Sequence, residues 1–217
     1  MQHFIIIAVV LVACAGLTQQ QQESSTSFLS AARLRSLFNS TDFAYNMFGP
    51  NARVTVRGEG GTANRADINE MPILKGLGVS SIIFHMGPCA INLPHVHPRG
   101  TELFHVLEGN YITGVLEENG GRYIQNNLTA GMITVFPQGL IHYEQNVACT
   151  NATFLSAFSS EDAGVLQIVN RLFDITFTEA LTSTLNQDET VVNYLRAALG
   201  VNPAKDRGEC LKRCGLA

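Results

Sequence analysis

Within the stretch "LPHVHPRGTELFHVLEG", Leu93 to Gly109, two of the chain's six histidines stand one residue apart and a glutamate follows them. An extended backbone sends residues i and i+2 to one face, so His95 and His97 can aim two imidazoles at a single point. Buried there without a partner, the pair would be costly; a shared cation removes that cost if other strands supply further ligands. Pro94 and Pro98 bracket the histidines, stiffening the backbone and limiting the strand to a few residues. Glu102 opens the next apolar run after a "PRG" connection and offers a hard anionic oxygen. Taken alone the pattern has little specificity, because histidines at this spacing also form polar patches on surface strands.

Ligands for one ion need a stiff frame. From about Ala52 the chain is a series of short β-branched and aromatic runs separated by Gly, Asn and Pro: "RVTVR", "GVSSIIFHM", "ELFHVLE", "NYITGVLE", "MITVFP", "IHYEQNV" and "ATFLSAF". Strands at this spacing, with no helical stretch between them, predict a β-sandwich or barrel. The period then changes. "TFTEALTSTLNQDETVVNYLRAALG", Thr176 to Gly200, predicts two helices, the second with Asp188 as N-cap, Val191, Val192, Leu195 and Leu199 on one face, and Gly200 as its stop. That apolar stripe must be buried, at a subunit interface or back against the barrel. Ahead of the strands, residues 28–50 place Leu29, Ala32, Leu34 and Leu37 loosely at helical spacing, and "TQQQQESSTS" (Thr18 to Ser27) reads as a flexible leader.

At 217 residues, 46% hydrophobic and 15% charged, the chain has the composition of one globular domain with an appendage. Its net charge is −4 and its Lys and Arg are scattered, which argues against nucleic acid as a partner. "FIIIAVVLVACAG", Phe4 to Gly16, has the length of a signal-peptide h-region, and Ala13-Cys14-Ala15 supplies small residues at cleavage spacing. Residues 1–15 therefore read as a cleaved secretory signal, leaving no membrane attachment. The competing reading of "LVAC" as a lipoprotein box, with Cys14 lipidated, wants a basic start that is missing. Three N-x-[ST] sequons, at Asn39, Asn127 and Asn151, agree with a secreted eukaryotic glycoprotein. With Cys14 removed, Cys89, Cys149, Cys210 and Cys214 remain, an even set for an oxidising compartment with three possible pairings.

Residues 95–109 fit H-x-H-x4-E-x6-G through His95, His97, Glu102 and Gly109, and residues 131–146 fit G-x5-P-x-G-x2-H-x3-N through Gly131, Pro137, Gly139, His142 and Asn146. These nine positions resemble the two motifs of the cupin superfamily, and "PHVHPRGTEL" resembles its germin and germin-like subgroup, including the spherulin-type proteins of slime moulds and fungi. The similarity runs over about residues 50–200, through "GGTANRAD", "LGVSS", "GVLQIVNRLF" and the closing helix pair.

The resemblance implies an all-β cupin barrel, or jelly roll, at residues 51–175. A leader and arm (16–50) precede it; a helical segment (176–200) that clasps trimers or hexamers and a Cys-containing tail (201–217) follow. It implies His95, His97, Glu102 and His142 as metal ligands, with manganese as the usual ion. Three imidazoles and a carboxylate suit an open six-coordinate divalent ion; zinc, copper or nickel would bind them too, so metal supply would decide. Asn92, three residues before His95, falls where germins line the substrate cavity with Asn, though a turn-forming role is the alternative. Glu144 shares the face of His142 by period two, either beside the ion or as a rim charge. His85 and His105 read as structural, and Phe104, Phe136 and Phe154 as core.

One position departs from the pattern: Cys89 stands six residues before His95, where such cupins carry Gly. If the strands carrying His95 and His142 are antiparallel neighbours, Cys89 and Cys149 fall nearly opposite each other, which predicts their disulfide and leaves Cys210 and Cys214 for each other or for a neighbouring subunit. Two functions remain open: a manganese oxidoreductase of oxalate oxidase or superoxide dismutase type acting on a small anion or oxygen species, and a non-enzymatic, metal-stabilised coat, storage or matrix protein resembling spherulin. Ligand binding in the barrel mouth is open to the fold without a specific residue in its favour.

Overall fold

The computed structural model describes residues 31–48 and 52–217. The expected signal, with Cys14, and the leader up to Ser30 lie outside the described residues. Two antiparallel sheets pack face to face. One has the order β1 (Val54–Gly58), β2 (Gly61–Ala66), β3 (Ser80–Met86), β10 (Ala152–Phe158), β5 (Glu102–Glu108), β8 (Ile133–Phe136). The other runs β11 (Leu166–Gln167), β4 (Ala90–Val96), β9 (Ile141–Asn146), β6 (Asn110–Leu116), β7 (Tyr123–Thr129), and β12 (Ala204–Lys205) adds beside β4. This is the jelly roll that the strand pattern and the resemblance implied.

Alternation explains the layers. In β5, Glu102, Phe104 and Val106 turn inward while Leu103 and Leu107 face out. Phe84, Phe104, Phe136 and Phe154 meet with Tyr111 in the core between the sheets, with Phe84 stacked on Phe154 at 4.7 Å.

The helical segment comprises α2 (Ile168–Leu172), α3 (Thr178–Leu185) and α4 (Glu189–Ala198); a short α1 (Ala31–Leu37) precedes the barrel. Asp188 caps α4 as expected, accepting from the Val191 N–H at 3.0 Å. Within the chain, Val192 packs with Phe173 and Leu181, flanked by Leu195 and Leu199, so that part of the α4 stripe closes against α3 and its approach. Phe177 and Tyr194 stay 65% and 71% exposed, which leaves apolar surface on the outside of this unit.

The disulfide pairing differs from expectation. The bridges are Cys89–Cys210 and Cys149–Cys214. The alignment behind the expected pairing is present: β4 and β9 are antiparallel neighbours, and the Cys89 N–H donates to the Ala148 carbonyl at 3.2 Å. What intervenes is α5 (Glu209–Arg213), whose turn carries Cys210 and Cys214 side by side, four residues apart, over the end of the β4–β9 pair. Side chains that leave one helix face in parallel meet partners opposite rather than each other, and Cα separations of 5.7 and 5.3 Å put each within bridging range of a barrel cysteine. The Cys89 sulfur lies only 3.6 Å from that of Cys214, so all four form one cluster.

Candidate metal centre

Both sheets supply the centre. His95 in β4 pairs across the ladder with His142 in β9, His97 follows at the end of β4, and Glu102 opens β5 in the opposite sheet. Ligand atoms from these four residues all lie within 4.8 Å of one another. A turn after β8 delivers β9: Gly139, at φ +81°, donates its N–H to the His97 carbonyl at 3.1 Å, tying the two histidine segments together. Phe136 stacks on the His142 ring at 4.4 Å and Phe158 packs on His97 at 4.6 Å, giving the site an apolar wall.

The ring nitrogens decide what the cluster can hold. Each Nδ1 faces a backbone carbonyl, His95 on Leu93 at 2.8 Å, His142 on Leu140 at 2.8 Å and His97 on Gly164 at 2.5 Å. Carbonyls only accept, so each Nδ1 carries the proton and each Nε2 is left with a lone pair. Yet the Nε2 atoms of His97 and His142 stand 2.9 and 3.2 Å from the Glu102 Oε2, itself an acceptor. Acceptors converging in a buried space need a positive charge between them, and a divalent ion supplies it. Burial, followed by the neighbouring His142 and His97, pushes the His95 imidazole down to about 3, so it stays neutral. Burial would raise the Glu102 carboxyl, but the close approach of the His142 and His97 rings outweighs it and holds the group well below the usual carboxylate range. The donor set of three nitrogens and one hard oxygen fits a divalent cation.

Further polar residues surround the four. Ser156 donates to Glu102 Oε1. Ser156 belongs to neither motif, although a hydroxyl between Phe154 and Phe158 on the inward face of "FLSAF" signals that something polar waits inside. Asn92 and Glu144 are cross-strand partners and both buried; the Asn92 amide donates to Glu144 Oε2 at 2.8 Å. Glu144 Oε1 has no hydrogen-bond partner and sits 4.0 Å from His142 Nε2, so this residue lies beside the centre and not on a rim. His85 and His105 are half-buried and away from the cluster. The sequons Asn39, Asn127 and Asn151 are all exposed. A cavity of about 90 Å³ opens onto the centre, lined in part by Arg65, Asn92, His95, His97, Phe158 and Asn202.

Burial, then the charge of Glu102, raises the Glu144 carboxyl well above its ordinary 4.5. The folded protein thus keeps a proton that the unfolded chain releases above that value, so this group's contribution is present at low pH and lost as pH rises. In ion-free protein, wild type is expected to lose stability relative to Glu144→Gln as pH rises above about 4.5, read by chemical denaturation. Parallel pH profiles for the two would show that Glu144 is not held neutral. His95 acts at the other end: its stability contribution is present above 6.5 and lost as pH falls toward about 3.

Comparison with known proteins agrees with this geometry. The family model described as cupin matches residues 45–193. Spherulin-1A of Physarum polycephalum is 34% identical over 181 residues, 83% of this chain and 73% of the relative. Germin-like protein 4-1 of Oryza sativa subsp. japonica is 35% identical over 150 residues, covering 66% of this chain and 59% of that one. Among solved structures, recombinant oxalate oxidase in complex with glycolate superposes with a TM-score of 0.68 at 28% identity, over 75% of this chain and 83% of that one.

Proposed function

Because the chain belongs to the cupin family, among its germin-like proteins and spherulins, we propose that it is a secreted metalloprotein holding one manganese ion on His95, His97, Glu102 and His142. We propose further that it is an oxidoreductase for a small anion or oxygen species, of oxalate oxidase or superoxide dismutase type. The convergence of three imidazoles on a buried carboxylate, where a single cation would satisfy all of them, carries this reading. The solved oxalate oxidase complex, whose glycolate is a small carboxylate, supports the substrate class.

Manganese, when bound, supplies a redox-active Lewis acid with positions open to substrate. The protein's own groups do the rest. Carbonyls on each Nδ1 fix the three rings, Ser156 fixes the carboxylate, and the phenylalanine wall keeps bulk water from one side. Arg65 at the cavity, partly offset by Asp67 at 3.3 Å, favours an anion, and Asn92 offers an N–H inside.

The two disulfides suit an oxidising compartment. Among the described residues no helix is long and apolar enough to cross a membrane. Exposed Phe177 and Tyr194 are a natural contact between subunits in a trimer or hexamer.

One observation favours a second reading: the ligands come from both sheets, so the ion would brace the barrel whether or not it reacts, as a coat, storage or matrix protein would need. Purified protein, with its metal measured, separates the two by side-by-side assays of peroxide formation from oxalate and superoxide removal. We expect at least one activity that rises with manganese content and disappears in His97→Ala. Fully manganese-loaded protein inactive in both assays would leave the structural role.

A further inference from the structure

The metal pocket has a contributor from outside the cupin match at residues 45–193. After α4 the tail crosses the β1–β2 turn so closely that a Cβ on Gly58 would come within 2.2 Å of the Pro203 oxygen, and one on Gly60 within 2.2 Å of the Ala204 oxygen. The Gly60 N–H donates to the Pro203 carbonyl at 2.8 Å, and β12 then pairs with Ala90 and Ile91 of β4. The Asp206 N–H donates to the Cys89 carbonyl at 3.0 Å, and the bridges from Cys210 and Cys214 secure the end. This path places Asn202 in the cavity wall beside Asn92.

The hydrogen bonds there run in one direction. The Leu93 backbone N–H can only donate, and it donates to Asn202 Oδ1 at 2.7 Å. That leaves the Asn202 amide nitrogen to donate to Asn92 Oδ1, at 2.6 Å. With its oxygen taken, Asn92 turns its own nitrogen to Glu144 Oε2, at 2.8 Å. An amide nitrogen carries two hydrogens, so one remains for an acceptor in the cavity.

We propose that Asn202 is a positioning residue of the metal pocket: by occupying the Asn92 oxygen it makes Asn92 a hydrogen-bond donor, toward Glu144 and toward a small carboxylate bound beside the ion. The carboxylate rests on the function proposed above; the orientation of Asn92 does not. Asn202→Asp still accepts from Leu93 but cannot donate to Asn92, whose amide then turns round and withdraws its N–H from the cavity. Asn202→Ala removes the same bond without adding a charge that would itself repel an anion.

The test compares manganese-loaded wild type, Asn202→Asp and Asn202→Ala by metal content and by calorimetric titration with oxalate. It adds the nuclear magnetic resonance signals of the Asn92 side-chain amide in the metal-free proteins. The expected result is unchanged manganese content, oxalate affinity lowered about tenfold in both variants, and displaced Asn92 signals. Unmoved Asn92 signals with wild-type oxalate affinity overturn the proposal, as does weaker binding that only tracks lost manganese. If wild type takes up no oxalate while the variants displace the Asn92 signals, the substrate reading falls and the positioning role stands.

Discussion

Glu102→Gln is expected to lower the affinity of the protein for its divalent ion by at least about 100-fold, since changing even a residue that only orients a ligand typically loses about 10–100-fold. The substitution keeps the side chain's shape and can keep the Ser156 contact, so the loss reads the charge and not the packing. It removes the only anionic oxygen from the four candidate ligands and leaves three neutral imidazoles, to which a divalent ion has far less reason to come out of water. Metal content after dialysis, followed by manganese titration, checks this. The ion stabilises only the folded state, by about 2.7 kcal/mol at a hundred times its dissociation constant, so added manganese should raise the unfolding midpoint of wild type and leave that of the variant in place. Full occupancy in Glu102→Gln would remove this carboxylate from the ion.

Removing the bridges should be as severe. They close loops spanning 121 and 65 residues, and in the chain-entropy account each stabilises by about 4–5 kcal/mol by limiting the unfolded ensemble. A value of that size is comparable to the whole stability of many domains. Cys149→Ser with Cys214→Ser should lower stability by about 4 kcal/mol in denaturant titrations. Peptide mapping of the non-reduced wild type should recover the Cys89–Cys210 and Cys149–Cys214 fragments. Recovery of Cys89 joined to Cys149 would return to the pairing that strand alignment alone predicts.

That alignment shows how much the sequence discloses. His95 opposite His142 is a ladder relation, and two motifs carrying ligands for one point are enough to make β4 and β9 neighbours. The strands read correctly were those with β-branched or aromatic runs. β4 "AINLPHV" is legible through its histidine pair and not through an apolar run, while β2 "GTANRA" and β7 "YIQNNLT" carry neither signal. β2 has small residues because its neighbours approach closely, and Gly61 could not carry a Cβ beside the His85 carbonyl. β4 contains Pro94 where its pairing with β9 shifts register, between Asn92 and His95, a place where a missing N–H breaks no ladder bond. In β7 only Leu128 is fully buried, so hydrophobic periodicity has little to report.

What the sequence withheld is long-range. Nothing in the spacing of Cys210 and Cys214 indicates that a short helix folds back over the far end of β4, and nothing marks Asn202 as part of a cavity built by residues a hundred positions earlier. Glu144 was ambiguous for a related reason: period two places it on the inward face, but only the packing from both sheets decides whether that face is a rim or an interior.

The most direct measurement is X-ray absorption at the metal edge of the purified protein, with stoichiometry from elemental analysis. The account predicts one divalent ion per chain, ligated by three imidazole nitrogens and a carboxylate oxygen, with no sulfur neighbour. An ion with sulfur ligands would place the metal at the cysteine cluster, and a protein refolded in manganese that retains no ion would contradict the centre altogether.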